Sequence, residues 1–181
     1  MKISLSLILF LIFITISAQN GYDKNIYAKD KIEISFRKIK DLGEDIPNYH
    51  LTVIKNKKNI FEDSVYSKVG EIKFEDFNGD GIKDILIQNS SDVRSNWTYF
   101  LYLYDTKSKN FRKIKDFETI KNPEYNNDYK LIESHVISGR DYTAFYKIHE
   151  NTIIDLQEIV YDDHSENDDN GYQKALEKLS K

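Results

Sequence analysis

The sequence predicts an all-β protein, a mostly antiparallel meander arranged as a sandwich, a barrel or a propeller-like sheet. Three observations predict it. Short runs alternate apolar and polar residues with period two, as half-buried strands do. These runs recur about every ten residues, separated by polar turns. One run, Trp97-Thr98-Tyr99-Phe100-Leu101-Tyr102-Leu103-Tyr104, is aromatic or aliphatic on both faces and reads as a strand buried on both sides.

The elements follow in order. Ile32, Ile34 and Phe36 alternate with Glu33, Ser35 and Arg37, which makes a first strand. Residues 41–48 carry Gly43 and Pro47 and read as a loop. Residues 50–55 form a second strand with Leu51 and Val53 on one face, and 56–59 turn into Ile60-Phe61. Residues 71–77 form a strand with Ile72 and Phe74 inward. Ile85-Leu86-Ile87 is apolar on both faces, hence central. The aromatic strand of 97–104 is followed by a polar turn and a return over 111–114. Residues 122–128, with Pro123, read as a loop. Runs at 130–137, 142–148 and 152–161 complete the meander, and 172–179 predict a short terminal helix. No repeat of propeller period is present.

The N-terminus reads as an export signal. Lys2 supplies the positive charge, residues 5–16 are almost unbroken apolar sequence, and Ser17-Ala18 offers a small-residue cleavage site. A membrane span needs about 20 apolar residues, more than this run holds. The expected organisation is a signal peptide at 1–18 and a single exported β domain at 19–181, periplasmic or secreted, monomeric and without a membrane span after cleavage. No cysteine is present, which excludes disulfides, a lipidated cysteine and thiolate metal ligation. The charge is mild, -4, and its 26 basic residues are dispersed among 30 acidic ones. That dispersal gives no basic patch for nucleic acid.

The chemistry concentrates in Asp76-Phe77-Asn78-Gly79-Asp80-Gly81-Ile82-Lys83-Asp84. Oxygen-bearing side chains stand at positions 1, 3, 5 and 9, and glycine at position 6. This spacing wraps a calcium ion, which takes six to eight oxygens. Asp76, Asn78 and Asp80 converge from alternate positions, Ile82 offers its carbonyl and Asp84 completes the set. Gly81 permits the turn. The pattern departs from an EF-hand, because Ile87 stands where position 12 carries a bidentate Glu and strands flank the loop. Without that carboxylate the affinity belongs with extracellular modules, roughly 10⁻⁴–10⁻³ M. The bland reading is a hydrated Asx-rich turn.

A second candidate is Ser138-Gly139-Arg140-Asp141-Tyr142, a turn offering a hydroxyl, an arginine and a tyrosine. Ser138, Gly139, Arg140 and Tyr142 are the candidate partner-binding residues, against the alternative of a plain hairpin turn. The acidic run Asp162, Asp163, Glu166, Asp168 and Asp169 lacks the calcium spacing and reads as a solvated linker. The four histidines are scattered. Asn96-Trp97-Thr98 matches a glycosylation acceptor formally. There is no G-x-S-x-G elbow, no phosphate loop and no cysteine nucleophile, and no catalytic residue is assigned. The expectation is a protein that is not an enzyme; an exported hydrolase would need two facing carboxylates in a pocket.

The stretch Ile72 to Ile85, followed by Tyr99-Phe100-Leu101-Tyr102-Leu103-Tyr104-Asp105 and Asn110-Phe111, resembles bacterial periplasmic calcium-binding β proteins with a single D-x-N-x-D-G-x-x-D loop. The loop also resembles those of FG-GAP and VCBS repeat proteins, in which it recurs. The resemblance covers roughly residues 70–160. It implies an exported β fold, and some members are similar to periplasmic lysozyme inhibitors, which push a Ser-Gly and Tyr-bearing loop into the enzyme's cleft. Ser138, Gly139 and Tyr142 are the nearest candidates here, at a spacing looser than the inhibitors' motif. The function so implied is noncatalytic inhibition of a lysozyme-type wall-degrading enzyme. The alternative is a calcium-stabilised binding module for a surface glycan or protein, with Trp97 and Tyr99 as an exposed aromatic platform.

Overall fold

Alternating runs must bury one face, and a run apolar on both faces must be covered twice. The computed structural model meets both demands by stacking three antiparallel sheets and a helix. It describes residues 31–39, 43, 46–162 and 168–180. The signal-peptide reading of 1–18 lies outside the described residues, as do Asp163 and Glu166 of the acidic run.

The first sheet holds β1 (Ile32–Lys38), β2 (Tyr49–Lys55) and β3 (Lys58–Val65). The middle sheet holds β4 (Ile72–Glu75), β5 (Asp84–Ser91), β6 (Trp97–Asp105) and β7 (Asn110–Ile114). The last holds β8 (Pro123–Asn126), β9 (Leu131–Val136), β10 (Tyr142–His149) and β11 (Thr152–Tyr161). Each is a meander in chain order with every neighbour antiparallel. The helix α1 (Asp168–Leu179) follows. The class is all-β, as the alternation predicts. None of the three sheets closes into a barrel.

Three cores lie between the four layers. Leu51, Val53 and Val65 meet Ile85, Ile87, Tyr102 and Tyr104 between the first and middle sheets. Leu86, Leu101, Leu103 and Ile114 meet Ile132 and Ile148 between the middle and last. Leu131 and Phe145 meet Ala175 and Leu176 under the helix. Consecutive residues of β5 and β6 thus serve opposite cores, which is why these strands are apolar throughout. Each large apolar side chain so buried contributes roughly 1.5–3 kcal/mol. The Nζ of Lys147 donates to the carbonyl of Leu179 at 2.8 Å, placing a cation at the negative end of the helix.

Two expectations need correction. The segment read as a loop at 122–128 contains strand β8, paired with β9. Pro123 is tolerated there because it opens an edge strand, where its missing N–H breaks no ladder. The terminal helix starts at Asp168 rather than Tyr172, so two acidic residues assigned to the linker belong to its first turn.

A candidate calcium loop and a candidate partner-binding turn

Residues 76–84 connect β4 to β5 and are rooted in two cores at once. Phe77 is buried in the core on one side, edge-on to Phe117 with ring centroids 5.4 Å apart. Ile82 is buried in the core on the other. Gly79 and Gly81 take φ of 71° and 81°, a conformation that residues with a Cβ adopt at a cost. At Gly79 the space is closed as well: a Cβ would meet the Tyr125 hydroxyl at 3.0 Å.

The polar side chains point back at their own main chain. Asp76 Oδ1 accepts from the N–H of Gly79 (2.8 Å), and Oδ2 from that of Gly81 (2.8 Å). Asn78 Oδ1 accepts from Asp80 N–H at 2.9 Å, and Asp80 Oδ1 from Ile82 N–H at 2.8 Å. The Asn78 amide nitrogen donates to Asp80 Oδ2 at 3.1 Å. Asp84 lies beneath, fully buried, accepting from Phe77 N–H (2.9 Å) and Tyr104 N–H (2.8 Å). Burial, augmented by the charges of Asp80 and Asp76, pushes the Asp84 carboxyl up to about 7 even though those two N–H groups pull it down. The same two aspartates, after burial, raise the Tyr125 phenol.

This arrangement can be tested against calcium chemistry. Among the described residues no three His, Cys, Asp or Glu side chains stand together as a metal cluster. A calcium here would therefore draw on the amide oxygen of Asn78 and main-chain carbonyls beside the carboxylates, the mixed oxygen set that calcium accepts. Asp76 Oδ1 already accepts from three N–H groups, whereas Asp76 Oδ2 and the Asp80 oxygens accept one bond each and retain a lone pair. Burial is the chief push on Asp84, with the charges of Asp80 and Asp76 adding to it, and a divalent ion among these oxygens would favour the ionised form. The oxygens present are of the kind calcium takes, and in this structure they accept from the loop's own N–H groups.

The second candidate, residues 137–142, joins β9 to β10. The Ser138 hydroxyl donates to the Arg140 carbonyl, and Ser138 N–H donates to Asp141 Oδ1 at 2.7 Å. The hydroxyl foreseen as exposed is therefore spent inside the turn, because a serine beside a Gly-containing bend closes it locally. Arg140 and Tyr142 do come together, through a residue outside the 138–142 motif. Tyr161 lies directly opposite Tyr142, with ring centroids 5.9 Å apart, and the Arg140 guanidinium stacks 4.0 Å above the Tyr161 ring. Exposed Ile137 and Ile159 extend this patch. Register was the available signal, since Tyr161 ends the strand that must pair with Tyr142.

Asn96 fixes the turn in place. Its side chain is buried, donating to the Ile137 carbonyl and accepting from Ile137 N–H, both at 2.8 Å. Its amide is thus engaged and unavailable as a glycan acceptor. Asp92 closes the adjoining turn on Asn96 and Lys121, contacts that hold its carboxyl well below the usual range. The aromatic platform foreseen at Trp97 and Tyr99 does not form. Both belong to the core between the middle and last sheets, where Tyr99 is buried and Trp97 partly so.

Two clefts open between the middle and last sheets. One, about 320 Å³, is lined by Lys73, Glu75, Tyr99, Glu124 and His135. Its two carboxylates are exposed, and Glu124 stands 3.5 Å from His135 Nε2. Neither has the dry surroundings that tune a carboxyl for general-acid work. The other, about 280 Å³, adjoins the 76–84 loop and includes Phe77, Asn78 and Tyr125.

Compared with known proteins, the chain matches no family model, no curated protein and no solved structure.

Proposed function

We propose that the protein is an exported, calcium-braced binding module without catalysis of its own, which presents the 137–142 turn and Tyr161 to a protein partner. The observation that carries this reading is the Arg140–Tyr161–Tyr142 cluster on a turn stapled by buried Asn96. Tyr and Arg dominate protein-recognition hot spots, and a surface held rigid before binding loses less entropy on association. Calcium at residues 76–84 would brace the root shared by the middle sheet and both cores beside it.

The partner class proposed is a lysozyme-type wall-degrading enzyme, as the loop resemblance implies. The test is a lysis panel with several lysozyme classes, in calcium and in chelator. Inhibition of one class, lost in Tyr142→Ala and Arg140→Ala, supports the reading. Failure against every class removes the inhibitor role. Pull-down on the same two variants then decides whether the face binds another surface protein or glycan.

A further inference from the structure

The cleft beside the 76–84 loop has a composition that the calcium reading does not use. Its floor is apolar, made by Phe77, Leu103, Ile132 and Ile148. Its rim carries Arg112, Lys130 and the ring of Tyr125. In a chain of net charge -4, the side chains lining this cleft include three cations, Arg112, Lys130 and Lys147, against one carboxylate, Glu150. Lys147 is committed elsewhere, to the helix end.

Arg112 is prepared for a ligand. Its Nη1 donates to the Glu150 carbonyl and to Asn151 Oδ1, the latter at 2.6 Å, which fixes the guanidinium on the β10–β11 turn. Guanidinium carries five N–H donors in a planar fork. No hydrogen bond among the described residues engages its Nη2 or Nε, the Lys130 ammonium or the Tyr125 hydroxyl. Asp105 lies within electrostatic range of the guanidinium, but its oxygens accept from Lys107 N–H (2.8 Å) and the Ser108 hydroxyl (2.9 Å). A fixed cation, a second cation and a phenol thus surround an apolar floor. The volume stands at the small end of ligand sites, which begin near roughly 300 Å³.

We propose that this cleft binds a small amphipathic carboxylate, its head between Arg112 and Lys130 and its apolar body on Phe77, Leu103, Ile132 and Ile148. An uncharged ligand would leave the guanidinium fork without an acceptor, and a bare anion would leave the floor wet. The site is separate from the 137–142 turn, and nothing in it requires calcium to be bound.

The test is a two-dimensional amide NMR titration of the mature protein with phenylacetate, its neutral analogue phenylacetamide, and inorganic phosphate. Phenylacetate should give saturable shifts centred on Leu103, Ile132 and Ile148. Phenylacetamide and phosphate should each bind at least tenfold more weakly. The double variant Arg112→Gln/Lys130→Gln should lose at least tenfold in affinity while keeping a folded spectrum. Should that variant unfold, Lys130→Gln alone, at an exposed position, should still weaken phenylacetate severalfold. Equal binding of the amide, equal binding of phosphate, shifts centred elsewhere, no saturation, or undiminished affinity in the folded variants would each overturn the proposal.

Discussion

The connections at 76–84 and 137–142 both link antiparallel strands, and both use glycine, Asp and side-chain acceptors to close on themselves. They differ in what lies beneath. The first drives Phe77 into one core, Ile82 into another, and a fully buried carboxylate between them. The second leaves Arg140 and part of Tyr161 in water and touches the body chiefly through Asn96. A turn rooted in two cores can transmit ion binding to the fold. A turn resting on one staple can change its surface chemistry with little effect on stability. The two sites are therefore separable, and mutations should divide them.

The largest effect should come from the root. Phe77→Ala empties a site shared with Phe117 and should cost about 3–5 kcal/mol in urea unfolding. A loss below about 1 kcal/mol would mean that the loop is not anchored as described.

The next effect is a pH dependence. Asp84 is held at about 7 against an ordinary 3.8, so the fold favours its protonated form. That contribution is complete below the unfolded value and is lost as pH rises through about 7. Calcium-free protein should therefore lose stability between pH 4 and 7, by up to about 1.4 kcal/mol per pH unit. Bound calcium needs the carboxylate ionised, so its stabilisation should grow with pH over the same window. Urea midpoints at pH 5 and 7.5, with and without calcium, check both signs.

Gly81→Ala adds a methyl group into open space at φ +81°, so only backbone strain opposes it. It should cost about 1–2 kcal/mol. The smallest effect belongs to the other turn. Arg140→Ala should shift stability by no more than about 0.5 kcal/mol while weakening the partner. A large loss of stability there would erase the contrast between the turns.

The same contrast explains what was legible beforehand. Alternation in β1 and the double-sided run of β6 expose the all-β class, because burial is written into them residue by residue. The 76–84 turn was legible because its glycines and Asx residues are local in sequence. The patch at Tyr142 was half legible: Tyr161 lies nineteen positions away and meets it only through strand register. Ser138 misled because its hydroxyl looks free until the turn closes on it. Strand β8 was hidden by Pro123, which reads as a breaker unless its edge position is known. The cleft at Arg112 draws on five strands and three connections, and no short window of sequence contains it.

The most direct measurement is thermal unfolding of wild type and Asp80→Ala, each in saturating calcium and in chelator at pH 7.5. Calcium should raise the wild-type midpoint, by the equivalent of about 2.7 kcal/mol at one hundred times its dissociation constant, and leave the variant unchanged. Identical wild-type midpoints in calcium and in chelator would contradict the account.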